Sequence, residues 1–182
     1  MNIPNYLTFL RIALIPVFVL VFYLPFHWSR IATAIIFTLA AVTDWLDGYL
    51  ARKWQQTSQL GTFLDPVADK LIVAVALVLI VGEKDLPLIA LPAAVIVGRE
   101  IVVSALREWM AELGQRASVS VSLVGKFKTT MQMLAIICLL LYVPDSGQWI
   151  GKLGYGLLYI AAFLTLWSMI VYLRAARDVM RG

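Results

Sequence analysis

Charge is the first thing this chain is short of. Asp, Glu, Lys and Arg make up 14% of its 182 residues and hydrophobic residues 62%, with a mean hydropathy of +0.87. Soluble domains carry charge on about a quarter of their residues, so a water-facing globule is excluded and the bilayer is the natural solvent. Cysteine occurs once, as Cys138 inside an apolar run, which excludes an internal disulfide and says nothing about redox compartment. Histidine also occurs once. His27 lies between Pro25 and Ser29 in a predicted turn and reads as a solvated surface residue, not a ligand. No basic cluster with interleaved aromatics is present, so no nucleic-acid partner is expected. The N-terminus lacks the cleavable small-residue pattern of a secretory leader, and the first apolar run is expected to be a retained helix. Internal repeats and low-complexity tracts are missing too.

What is there is a series of long apolar runs, enough for about six spans of ~20 residues and leaving no room for a further soluble domain. The expected fold is all-α: a polytopic membrane protein with six transmembrane helices in one bundle, forming a single domain over residues 1–182. After an interfacial segment at 1–9, the spans are expected at about 10–26, 31–52, 62–81, 88–106, 127–143 and 153–173. Arg11 stands at the entrance of the first, where a long basic side chain can snorkel to the headgroups. Pro66 opens the third, where a first helical turn has no backbone bond to lose. Tryptophans and tyrosines read as interfacial anchors. Gly151, Gly154 and Gly156 would let helices, or protomers, approach closely.

Basic residues set the orientation. One side would hold ten of them: Arg11, Arg52, Lys53, Arg107, Arg116, Lys126, Lys128, Arg174, Arg177 and Arg181. The other would hold three, Arg30, Lys84 and Lys152. The positive-inside rule then puts both termini in the cytoplasm. Lys128, Arg116 and the C-terminal arginines read as topology and anionic-lipid contacts.

Against this background four acidic residues stand out. Asp44 and Asp47 close the second span, and Asp65 and Asp69 open the third. Positions three or four apart share a helical face, so each pair can aim two carboxylates one way. The short polar link 53–60 lets the two helices lie side by side. Asp65 before Pro66 also has the look of a helix cap, but capping does not explain four acids. Ionised carboxylates cost roughly 2.5–3.5 kcal/mol each at the centre of a span. Two divalent cations would offset them with charge of the opposite sign, and all-oxygen ligands suit hard ions such as Mg2+. Gly48, Ala51 and Gly61 keep the adjoining faces low, leaving room for a flat group such as a nucleotide. Paired metals on shared carboxylates suit in-line displacement at phosphorus.

The full spacing, Asp44-x2-Asp47-Gly48-x2-Ala51-Arg52-x8-Gly61-x3-Asp65-x3-Asp69, resembles the complete motif of the CDP-alcohol phosphatidyltransferase family. NIPNYLTFLRIALIP, GREIVVSALREW and VGKFKTTMQM extend the resemblance over essentially the whole chain, toward the members that use glycerol 3-phosphate. The resemblance implies transfer of the phosphatidyl group of CDP-diacylglycerol to that acceptor, with release of CMP. It implies that Asp44, Asp47, Asp65 and Asp69 hold Mg2+ or Mn2+, that Asp65 is catalytic, and that Asp69 is the base. Asp44, Asp47, Gly48, Ala51, Arg52 and Gly61 would bind CDP-diacylglycerol. It further implies a homodimer in the bacterial cytoplasmic (inner) membrane, with its cavity open to the cytoplasm and a side slot to the lipid.

An acceptor phosphate needs Arg or Lys. Arg99 and Arg107 are about two turns, or ~12 Å of rise, apart on one helical face. With Lys126 at the start of the next span they would form a basic pocket for glycerol 3-phosphate. Arg99 could instead pair structurally with Glu100 or an aspartate, and Lys70 reads as a charge-balancing neighbour of Asp69. The competing acceptors are serine, inositol phosphate and phosphatidylglycerol. An ion-coupled transporter is disfavoured, because such folds show repeated halves and midplane sites.

Overall fold

The computed structural model describes residues 3–54, 59–83, 86, 88–112, 123–143 and 148–181. Within them, the side chains of residues 3–5, 7, 45, 47–54, 59–63, 107, 111, 123–126, 175–176 and 178–181 are outside what is described. The described residues form six α-helices: α1 Ile3–Phe22, α2 Ser29–Trp54, α3 Gln59–Val81, α4 Ala90–Glu112, α5 Leu123–Leu140 and α6 Gln148–Arg181. The all-α expectation holds.

One continuous core joins them. Ile15 and Phe18 of α1 meet Ala34, Phe37 and Ala40 of α2, and Ile72, Val73, Ala76, Leu77 and Ile80 of α3. Ile96 of α4, Ile136 and Leu139 of α5 and Leu158 of α6 complete the same cluster. Alanines recur at these contacts because small side chains let helix backbones close on one another. The α5–α6 pair is the most extensive, followed by α1–α2 and α4–α6. In α2, Thr33, Thr38 and Thr43 donate their hydroxyls to the carbonyls of Ser29, Ala34 and Leu39 at 2.7, 2.7 and 2.9 Å. An apolar helix can carry threonines because the turn below satisfies them.

The end away from the acidic residues is tied by Arg30, which donates to the Tyr142 carbonyl at 2.6 Å and pairs with Glu83 at 3.3 Å. The start of α2 is thereby fastened to the ends of α3 and α5. Leu88, just before α4, has φ 63°, a left-handed backbone costly for a residue with a Cβ. Its carbonyl accepts a hydrogen bond from Tyr159 of α6 at 3.1 Å, and Ile89 beside it is buried.

Some boundaries differ from those expected. α1 begins at Ile3, so the segment read as interfacial is continuous with the first apolar helix where described. α3 begins at Gln59, which puts Pro66 inside it and not in its first turn. The apolar spacing of Leu60, Phe63 and Leu64 extends the helix back, and the ring of Pro66 leaves one interior carbonyl without its usual N–H. Asp65 is therefore an interior helical residue, not a cap. Among the described residues, one helix is both long and apolar enough to cross a membrane, Gln148–Arg174, with mean hydropathy 2.0. Thr8–Phe22 and Phe127–Leu140 are apolar but shorter.

Two of the three α6 glycines serve packing within the chain. Gly151 faces the Tyr142 ring, and a Cβ on Gly154 would stand 2.9 Å from Cys138 Cβ and 3.1 Å from the Ala135 carbonyl oxygen. Gly156 has nothing within 4 Å. Gly154→Val should therefore destabilise the detergent-solubilised protein by about 1–3 kcal/mol. Gly156→Ala should leave the thermal midpoint equal or slightly higher, since alanine is the better helix former. Thermal unfolding of both variants checks this pair.

Candidate functional site

Thr8 and Arg11 lie one turn apart on α1 and face the acidic residues of two other helices. Arg11 NH1 donates to Asp44 Oδ1 of α2 at 2.6 Å. The Thr8 hydroxyl donates to Asp65 Oδ1 of α3. Sequence spacing suggested that α2 and α3 lie directly side by side. Among the described residues α1 packs along both, and α2 meets α3 over a much smaller stretch. The first helix is thus the staple that brings the two acidic segments together.

Arg11 was expected to reach the headgroups. Its side chain is 0% exposed, whereas that of Asp44 is 39% exposed. In a low-dielectric interior a carboxylate at hydrogen-bond distance is the better partner for a guanidinium. The signal in the sequence was there: Arg11 is the sole basic residue of α1 and shares a face with Thr8.

Asp69, one turn beyond Asp65, is half-buried and within electrostatic reach of Asp44, Arg11, Glu100 and Lys70. Lys70 acts on Asp69 through its charge, as the sequence suggested, while its hydrogen bond goes to the Ser104 hydroxyl of α4. Three of the four predicted acids thus belong to one region. Asp47 lies in α2, but its side chain is outside the described residues, as are those of Gly48, Ala51, Arg52 and Gly61. Among the described residues, no three acidic, thiol or imidazole groups come close enough to hold one ion. The donor chemistry nevertheless fits a hard cation. Asp44 and Asp65 are each anchored through Oδ1, which leaves a second carboxylate oxygen on each for a hard cation to coordinate.

A second charged cluster lies across α4, α5 and α6. Arg99 NH1 donates to Glu100 Oε1 at 2.8 Å, and its NH2 to the Ser168 hydroxyl at 3.2 Å. The Tyr172 ring centroid is 5.8 Å from Arg99 Cζ, within cation–π range. Lys128 donates to the same Glu100 oxygen at 3.1 Å. The structural pair between Arg99 and Glu100 that the sequence offered as an alternative is therefore formed. Lys128, read from sequence as a lipid or topology contact, is instead buried at 4% exposure. The side chains of Arg107 and Lys126 lie outside the described residues. Glu100, Lys128, Ser168 and Tyr172 were not among the predicted site residues. An Arg–Glu dipeptide inside an apolar helix was the available hint, since two such charges need partners from neighbouring helices.

A family model described as CDP-alcohol phosphatidyltransferase matches residues 1–172. The chain is 57% identical over 177 residues to a CDP-diacylglycerol–glycerol-3-phosphate 3-phosphatidyltransferase of Sodalis glossinidius (strain morsitans), covering 97% of this chain and 96% of that protein. It is also 57% identical over 176 residues to proteins of the same name from Escherichia coli (strain K12) and Shigella flexneri serotype 5b. Those matches cover 97% of this chain and 95% of each relative.

If α1 staples the acids, Arg11 and Asp44 must be energetically coupled. Arg11→Met, Asp44→Asn and the double variant should form a non-additive cycle, with a coupling of about 0.5–3 kcal/mol. Reversible denaturation in mixed micelles measures it, and strict additivity would remove the staple.

Proposed function

Because the chain belongs to the CDP-alcohol phosphatidyltransferase family, we propose that it transfers the phosphatidyl group of CDP-diacylglycerol to sn-glycerol 3-phosphate. The products are phosphatidylglycerophosphate and CMP. The observation that carries this reading is end-to-end similarity to glycerol-3-phosphate-using relatives, which takes in the acceptor half of the chain as well as the acidic motif.

In the proposed mechanism, the acceptor hydroxyl attacks the lipid-bearing phosphorus in line with the bond to the CMP oxygen. That bond breaks as the new phosphodiester forms, and CMP departs. Asp69 takes the hydroxyl proton, a role that needs a carboxylate within hydrogen-bond reach of the acceptor. Asp65, steadied by Thr8, and Asp44, steadied by Arg11, keep the acidic face in fixed geometry. Asp44, Asp47, Asp65 and Asp69 would hold Mg2+ or Mn2+, as a pair of ions, supplying charge to stabilise the diphosphate and the departing oxygen. Gly48, Ala51 and Gly61, with Arg52, would make room for and hold the cytidine end. Arg99, Arg107 and Lys126 would bind the acceptor phosphate. The position of Arg99 one helix away from Asp69, with Glu100 within electrostatic reach of that aspartate, supports an acceptor site beside the acids.

The site works at a membrane. All six helices would span or line the bilayer as one domain, with both termini and the acids on the cytoplasmic side. Outward-facing apolar ridges support this. Ile31, Ile35, Leu39, Val42 and Leu46 run down the exposed face of α2, and Ile160, Phe163, Trp167, Ile170 and Val171 down that of α6. Exposed apolar ridges of this kind mark a membrane or protein interaction surface. The enzyme would act as a homodimer in the bacterial inner membrane, drawing CDP-diacylglycerol from the surrounding lipid.

Labelled glycerol 3-phosphate should enter lipid only with CDP-diacylglycerol and Mg2+ or Mn2+ present, and excess EDTA should stop turnover. An acceptor panel of serine, inositol phosphate and phosphatidylglycerol should give no comparable product. Asp69→Asn should lower kcat by roughly 10²–10⁴-fold. Arg99→Gln should raise KM for glycerol 3-phosphate by roughly tenfold or more, with little change for CDP-diacylglycerol. Steady-state kinetics in mixed micelles decides, and equal effects on both substrates would contradict the acceptor assignment.

A further inference from the structure

Glu100 lies between two cations, Arg99 and Lys128, and meets both through one carboxylate oxygen. Arg99 and Glu100 are consecutive on α4, and neighbours in a helix do not face each other. Their contact is accordingly made through one nitrogen, NH1, at 2.8 Å. It lacks the two-pronged fork that makes arginine–oxyanion pairs strong. The rest of the guanidinium is fixed from α6: NH2 donates to Ser168, and the Tyr172 ring lies beside it. The Nε donor is buried with no hydrogen-bond partner, and buried donors in native proteins are normally satisfied. Arg99 is thus held in place from α6 while only one nitrogen engages Glu100.

Glu100 has a second cation to fall back on. Lys128 Nζ lies 3.1 Å from the same Oε1. Exposure separates the three side chains: Glu100 is 27% exposed, Arg99 11% and Lys128 5%. The two cations are walls, and the carboxylate between them is the member open to movement.

We propose that Glu100 is a placeholder for the acceptor's phosphate, setting how strongly an anion must bind before Arg99 accepts it. This rests on the reading that Arg99 binds the acceptor phosphate. An incoming phosphate monoester supplies two oxygens for NH1 and NH2 together, the end-on edge of the guanidinium, and the Glu100 carboxylate retires onto Lys128. An acceptor without a phosphate brings nothing to exchange, so Arg99 stays on Glu100. Glu100 is therefore a specificity-determining residue that acts through Arg99, and it needs no contact with the reacting phosphorus.

The test is Glu100→Gln in the full-length protein in mixed micelles. KM for glycerol 3-phosphate should fall about tenfold, equivalent to 1.4 kcal/mol. Inorganic phosphate should become a competitive inhibitor at correspondingly lower concentration, and KM for CDP-diacylglycerol should stay the same. A role confined to folding would lower the thermal midpoint without tightening phosphate inhibition. An unchanged or raised KM for glycerol 3-phosphate overturns the proposal. Should Glu100→Gln fail to fold, Glu100→Asp keeps the charge for Lys128 with a shorter reach. It should lower KM in the same direction by a smaller factor, and the same contrary results overturn the idea. Arg99→Gln separates the two levels. No change in KM there removes the acceptor assignment and this inference together. A raised KM there, with none lowered in the Glu100 variants, removes this inference alone.

Discussion

The structure depends on a buried guanidinium. Arg11 has no exposed side-chain surface, and a charge so placed is tolerable only where a carboxylate meets it. Asp44 meets it, and Thr8 one turn away holds Asp65. Two bonds from one face of α1 therefore tie α2 to α3, which meet over a small stretch among the described residues. Acidic groups crowded together repel, and a helix that brings a positive charge and a hydroxyl to their inner side keeps them converged. The outer side of Asp44 remains accessible, which is where hard cations and a diphosphate would have to arrive.

The two charged regions divide the work by helix. α1, α2 and α3 carry the acids, while α4, α5 and α6 carry Arg99, Glu100, Lys128 and Ser168. Lys70 of α3 on Ser104 of α4 links the two groups. Donor and acceptor would then be held by different halves of the bundle and meet near Asp69. Close α5–α6 packing at Gly154, against Ala135, Cys138 and Leu139, lies at the opposite end. The Arg30 clamp fixes the same far ends of α2, α3 and α5, so the charged end is built on helices fastened below it.

Most of the plan was legible in the sequence, because apolar runs and acid spacing are local signals. Six helices follow from hydropathy and turn residues, and the acidic motif follows from a fixed count of residues. What was not legible is which helix stands between which. Arg11 looked like a snorkelling residue because an isolated basic side chain near a helix entrance usually is one; only tertiary packing brings Asp44 within reach. Pro66 looked like a helix start because the apolar count rises just there, whereas the helix had already begun at Gln59. Lys128 looked like one of many basic residues near the membrane edge, and its burial depends on Glu100, far away in the chain. Pairwise charge partners are non-local, and a single sequence does not encode them visibly.

On the proposed mechanism the acids on α2 and α3 would gather divalent ions that grip a diphosphate. Manganese binding followed by electron paramagnetic resonance on the detergent-solubilised protein tests it most directly. The expected result is a bound, spin-coupled pair of ions, tightened by CDP-diacylglycerol and lost in Asp65→Asn. A manganese signal that matches buffer alone, or binding that survives Asp65→Asn unchanged, would contradict it.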